Sequence, residues 1–234
     1  MASFHKYILL AIIAIVPILS SAQGSKVKKS AIQHITGQTF ISYYNQMNGT
    51  PFHQENWSKG DITMKSGETY EDLLLGYDEF KDDLIYRNDL TFAIIIVDKE
   101  SISQFTLKDP NTGKSELFKS IVNEKLKEMS GQFFSIILED SISVIKKYKA
   151  TEEMYSNANP TLKKIGKFAH ESVLYIWDGK ELKNAPKIRS RIWQQYPQYK
   201  ENIRKFVFRN HIRMRNEDDV KILYQEINRL FKEK

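Results

Sequence analysis

The chain has 234 residues and no cysteine, with 35 Lys/Arg against 29 Asp/Glu for a formal net charge of +6. Without cysteine there can be no disulfide, thiol nucleophile, thiolate metal site or cysteine-linked lipid. Residues 23–184 hold 21 Lys/Arg and 23 Asp/Glu, whereas residues 185–234 hold 13 and 6, so a near-neutral body precedes a basic tail.

His5 and Lys6 give a weakly positive start, Tyr7–Leu19 is almost wholly apolar with Pro17 near its end, and Ser20-Ser21-Ala22 supplies small residues. This is the three-part layout of a cleavable export signal over residues 1–22, with the mature chain expected to begin near Gln23. The apolar run is 13 residues, and crossing a bilayer takes about 20. No later run reaches that length, so no transmembrane segment is expected after cleavage. The expected location is the periplasm, the outer-membrane periphery or outside the cell.

Residues 23–184 read as an antiparallel β domain. Gly60–Lys65 and Thr69–Leu75 flank Ser66-Gly67, and Leu84–Arg87 and Thr91–Val97 flank Asn88-Asp89. Both junctions are built from turn-forming residues. Ser101–Leu107 is closed by Asp109-Pro110-Asn111-Thr112-Gly113, and Gly131–Leu138 and Ser141–Tyr148 surround Glu139-Asp140. Ser172–Trp177 and Lys180–Lys183 surround Asp178-Gly179, a type I′ hairpin signal. Glu124–Ser130 fits either a short helix or a loop. Short strands at this spacing predict a sandwich or an open barrel.

Residues 185–234 change period. Pro186 can open a helix whose face carries Ile188, Ile192, Trp193 and Tyr196. A second follows Pro197 with Tyr199, Ile203, Phe206 and Val207 inward, and Asn210 is expected to end it in a left-handed conformation. His211–Arg215 alternates basic and apolar residues, as an extended connector would. Asn216 can cap a last helix with Asp218 and Asp219 in its first turn and Val220, Leu223, Ile227, Leu230 and Phe231 on its buried face. The fold class expected is therefore α+β: mainly antiparallel β, with two or three C-terminal helices packed on it.

No phosphate-cradling glycine loop, nucleophile elbow or paired-histidine zinc motif is present. The mature histidines, His34, His53, His170 and His211, lack ligand spacing, so neither a metal nor another cofactor is expected. Acidic pairs at Asp78-Glu79, Asp82-Asp83, Glu139-Asp140 and Glu152-Glu153 fall at predicted turns, where solvation explains them. Two facing carboxylates could hydrolyse a glycosidic bond in an envelope polymer, which is the enzymatic alternative. Trp177 and Trp193 are expected in the core, and Trp57 is expected to be exposed. The basic tail supplies the candidate binding residues: Lys200, Arg204, Arg209, His211, Arg213 and Arg215, with Trp57. Their charge suits an anionic envelope component or an acidic protein, and export makes nucleic acid the weakest partner. The competing reading is a solvated surface paired with acids of the body.

The stretches Tyr43-Tyr44-Asn45, Gly49-Thr50-Pro51-Phe52, Gly60–Gly67, Leu74-Leu75-Gly76-Tyr77 and Phe80–Asp83, with Ala22-Gln23 at the signal end, resemble uncharacterised exported proteins of Bacteroidetes-type bacteria. The resemblance implies a β-rich body, a short helical C-terminus and a Gram-negative envelope or secreted location. It implies no activity and no site residues. The function expected is an exported, non-enzymatic binding or structural module.

Overall fold

A computed structural model of the chain describes residues 35–42, 44, 47–154, 166–187 and 189–233. The signal-like segment 1–22, His34 and Ile188 lie outside the described residues. The described strands are β1 (Gly37–Thr39), β2 (Met47–Asn48), β3 (Ser58–Met64), β4 (Thr69–Asp78), β5 (Asp83–Arg87), β6 (Ile94–Val97), β7 (Ile102–Lys108), β8 (Ser115–Ile121), β9 (Gln132–Leu138), β10 (Ser143–Met154), β11 (Gly166–Trp177) and β12 (Leu182–Asn184). They make one open sheet in the order β1-β6-β5-β4-β3-β7-β8-β9-β10-β11-β12, with β2 beside β11. Only the β2–β11 pairing is parallel. From β3 onward, hairpins run outward through β4, β5 and β6 and then, after a reversal between β6 and β7, through β8 to β12; before them, β1 pairs β6 at one end of the sheet and β2 pairs β11 near the other.

The strands form where side chains alternate. In β3, Ser58, Gly60, Ile62 and Met64 face inward. Gly67 and Gly179 hold φ of +90° and +81° at the two predicted hairpin turns, a region that glycine enters without steric cost. The interior holds Ile62, Leu75, Tyr77, Phe105, Phe118 and Phe133. Phe105 and Phe118 stack with centroids 4.7 Å apart, and Phe133 meets Phe105 edge-on at 5.0 Å, both favoured aromatic geometries.

Although the sheet is open, its two arms touch at the β4–β5 turn. Asp82 accepts from the Tyr77 hydroxyl at 2.6 Å and is ion-paired with Lys99 and with Lys147 of β10. The Phe133 N–H of β9 also points at its carboxylate, at 3.3 Å. Burial, opposed by Asp82, lowers the Lys147 pKa. Asp78 accepts from the Tyr44 hydroxyl at 2.7 Å and from the N–H groups of Phe80 and Lys81. The Ala150 N–H of β10 donates to the Glu79 carbonyl at 3.2 Å. The expectation that this acidic turn is solvated is therefore overturned: Asp78, Glu79 and Asp82 are buried. A buried carboxylate must collect donors, and here the opposite arm of the sheet supplies them. Glu139 and Asp140 do sit at an accessible turn, where they pair with Lys119 and Lys232.

The helices are α1 (Arg189–Gln195), α2 (Lys200–Arg209), reached through a 3-10 turn at Pro197–Tyr199, and α3 (Glu217–Lys232). Asn216 caps α3, its side chain accepting the Asp219 N–H at 2.8 Å. Asn210 is not left-handed, with φ −96°; that conformation falls one residue later, on His211 at +52°. A second core joins the helices to the sheet through Ile142, Val144, Ile176, Ile203, Val207 and Leu223. Phe231 is 38 % exposed despite packing on Tyr196 and Tyr199. Trp177 and Trp193 are half-buried, Trp193 against the helical core.

One polar group fixes the docking of α3. Asn228 is 1 % exposed. Its side chain accepts the Ile142 N–H and donates to the Ile142 carbonyl, both at 2.8 Å, and also donates to the Tyr224 carbonyl of its own helix. Asn228→Ala would leave both backbone groups of Ile142 unpaired, a loss of about 3 kcal/mol. Urea unfolding of the variant should show this as a lower midpoint with an unchanged slope.

Candidate binding site

In α2 the apolar residues Ile203 and Val207 are one turn apart and face the core, so Lys200, Arg204, Lys205 and Arg209 face solvent. Beyond α2 the chain alternates. Ile212 and Met214 are buried, and His211, Arg213 and Arg215 are exposed. The alternation holds, but the connector is not a strand, because His211 and Met214 both have positive φ. Asp219 of α3 shapes it by accepting the backbone N–H groups of Arg213 and Arg215, at 3.0 and 3.3 Å. All six predicted tail residues, Lys200, Arg204, Arg209, His211, Arg213 and Arg215, are exposed.

Among the described residues, no cation from Lys187 to Arg215 forms an ion pair. Glu201 is the lone acid over that stretch. The pairing with acids of the body that would neutralise the tail is absent among these residues. Trp57 stands apart. It lines a hollow of about 120 Å³ with Phe40, Phe52 and Ile85 and carries the Arg87 guanidinium over its ring at 5.2 Å. None of the tail residues lines that hollow, and Trp57 is half-buried rather than exposed.

Two larger clefts, of about 700 and 710 Å³, lie between the sheet and the start of α3. Both are lined by Lys146 of β10 and Glu217 of α3, which form an ion pair. The first is bordered by Val173, Leu174, Pro186, Lys187 and Arg215. The second is bordered by His53, Lys114, Glu116, Tyr148 and Lys221.

At the inner wall of the second cleft, His53 sits between two carboxylates. Its Nδ1 bonds to Glu79 at 2.7 Å and its Nε2 to Glu116 at 3.0 Å. Burial works against the charged ring, but the hydrogen bonds with Glu116 and Glu79 outweigh it and raise its pKa to about 9. Burial pushes the Glu116 carboxyl upward, and hydrogen bonds from His53 and Ser135 overcome that and hold it at about 2. The Ser135 and Tyr148 hydroxyls donate to Glu116 at 2.5 and 2.8 Å. His170 of β11 bonds to the other Glu79 oxygen at 2.7 Å and to the Thr50 carbonyl at 2.8 Å.

A general acid needs a protonated carboxyl and a general base needs a free ring nitrogen. Glu116 is ionised, and both His53 nitrogens are occupied. Sequence reasoning did not find this cluster, because His53 lies 26 and 63 residues from its two partners. The available signal was a charged Glu116 in phase with Phe118, on the inward face of a strand.

Comparison with protein-family models, curated proteins and solved structures returns no match.

The raised His53 pKa stabilises the folded chain fully below about pH 6.5, its unfolded value, and that contribution is lost as pH rises through about 9. The depressed Glu116 value acts oppositely: its contribution is present above about 4.5 and lost as pH falls through about 2. Unfolding free energy should therefore drop by up to about 3 kcal/mol between pH 6.5 and 9. Denaturant titrations of His53→Gln across that range should lack this drop.

Proposed function

We propose that this chain is an exported, non-enzymatic binding module that holds an anionic partner on its basic C-terminal surface. The observation that carries the reading is the segregation of charge. Cations of the body are widely paired, including Lys99, Lys119, Lys146 and Lys147, while those from Lys187 to Arg215 form no ion pair among the described residues. An uncompensated positive surface raises the local concentration of anions and speeds their association. It destabilises the fold by self-repulsion, so a partner that neutralises it gains affinity. The export reading rests on the signal-like residues 1–22. No described helix is long and apolar enough to cross a membrane.

Charge reversal separates the surface from net charge. Arg204→Glu/Arg209→Glu/Arg213→Glu should weaken binding to heparin or anionic vesicles by about tenfold or more at low salt. Reversal of three exposed body lysines, Lys125, Lys149 and Lys180, changes net charge equally and should leave most of the binding intact. Equal losses in the two variants would remove the tail's role.

For export, the mature chain recovered from a Gram-negative expression host should have the mass of a protein beginning at Gln23. A full-length chain retained in the cytoplasm would count against export.

A further inference from the structure

We propose that the outer edge of β11 takes up an extended peptide as an added strand, and that acidic side chains of this peptide meet Lys187 and Arg215. The proposal rests on the reading above only for the sign of the charge, and it names the partner as a protein segment.

The first argument is a gap in the sheet. On the side away from β10, β11 is covered at one end by β2, at Gly166 and Lys167, and at the other by β12, at residues 175–177. The chain of β12 makes one further bond, from the Ala185 N–H to the Leu174 carbonyl at 2.8 Å. Between these two neighbours, residues 168–173 have no strand beside them among the described residues. At about 3.3 Å per residue the gap is about 20 Å long, the length of one ordinary strand.

The second argument is what the gap presents. The β10–β11 ladder runs from Ser143↔Trp177 to Met154↔Gly166 without a bulge. In an unbroken antiparallel ladder the N–H and C=O of one residue point to the same side, and the next residue points to the other. The Leu174 carbonyl points to the β12 side, so the backbone groups of Ser172 and His170 point into the gap. Neither residue has a backbone partner on that side among the described residues. Residues 170–173 are all exposed, whereas the ends of the strand carry its buried positions. A strand edge with unpaired donors and acceptors is a template for a further strand. A sugar or an acyl chain offers no matching row of N–H and C=O groups, and this selects a peptide.

The third argument is the charge beside the gap. The first cleft has Ser172 and Leu174 in one wall, with Lys187 and Arg215 also lining it. The other two charged residues that line it, Lys146 and Glu217, are paired with each other. Lys187 and Arg215 form no ion pair among the described residues, so this cleft keeps a positive surplus. Glu171 does not offset it, because strand side chains alternate and Glu171 falls on the face opposite Ser172 and Leu174. Every second side chain of an added strand would turn toward the cleft, where acidic groups complement the two free cations.

The test titrates capped six-residue peptides into the intact mature chain: alternating valine–glutamate, with valine–lysine and valine–glutamine as comparators. The glutamate peptide should bind about tenfold or more tighter than the lysine peptide at low salt. Amide exchange should slow at His170 and Ser172 and stay unchanged at Glu171 and Val173, which already face β10. N-methylation of the peptide at one set of alternate amides should abolish binding, and methylation of the other set should spare it, as strand pairing requires. Ser172→Pro removes an edge donor and should weaken binding about fivefold. The methylated peptides keep the test decisive if that variant melts early. Lys187→Glu/Arg215→Glu should reverse the preference toward the lysine peptide. Absence of binding by all three peptides overturns the proposal, as does binding that ignores both methylation patterns or leaves the His170 and Ser172 amides unchanged. Binding with no preference for glutamate overturns the role given to the two cations. Failure here stays separate from failure of the basic surface: heparin binding sensitive to Arg204, Arg209 and Arg213 would persist without any peptide binding, and strand addition would persist without any heparin response.

Discussion

The fold depends on a turn of carboxylates that water hardly reaches. Asp82 is 8 % exposed, yet it joins Lys99 on one arm of the sheet to Lys147 and Phe133 on the other. Moving such a group out of water is unfavourable unless donors surround it. Once they do, each donor is itself committed, because Lys147 without Asp82 would be a buried cation with no counter-charge. Breaking such a pair typically costs about 3–5 kcal/mol. Glu79, three residues earlier, holds His53 and His170 in the same way. An open sheet lacking the closure of a barrel thus has its two arms held by charge across the gap, in a chain that has no cysteine to do it covalently.

What the sequence made legible were the features set by near neighbours. The Ser66-Gly67 turn, the Asn216 cap and the Ile203/Val207 face depend on contacts within a turn or two, and they formed as expected. The Asp178-Gly179 hairpin formed too, but as a four-residue loop in which Asp178 accepts the N–H groups of Lys180 and Glu181, not as a type I′ turn, since Asp178 lacks a positive φ. Strand β8 was missed because its inward face carries Glu116 and Ser120 around Phe118, which hides the alternation. The acidic turn was misread for the same reason. Turn propensity describes Asp78–Asp83 correctly, but their burial is decided by residues such as Lys147, 65 positions away from Asp82. The basic tail was found from charge density alone. That its cations from Lys187 to Arg215 form no ion pair among the described residues, while Arg229 and Lys232 do, needed the fold.

The two cores divide the labour. The aromatic interior of the sheet, centred on Phe105, Phe118 and Phe133, shapes the body and surrounds the carboxylate turn. The helical core, joined to the sheet by Asn228, sets where the cations stand. Burial of Ile203, Val207, Ile212 and Met214 forces the intervening basic residues outward. The outward placement of these cations is therefore a consequence of packing.

The strand order also governs how the chain can reach this state. All neighbouring pairs from β3 to β6 and from β7 to β12 are hairpins or short returns, closing contacts that are local in sequence. Such contacts form quickly because little loop entropy is lost. The β3–β7 pairing, the Asp82–Phe133 contact of the carboxylate turn and the Ile142–Asn228 clasp instead join residues 38 to 86 positions apart. On topological grounds the two meanders should be early, partly independent units, and the step that commits the molecule should be their meeting. Until then each half exposes an unpaired strand edge, so crowding between molecules at that stage, more than loss of the finished structure, is where this architecture is most open to misassembly.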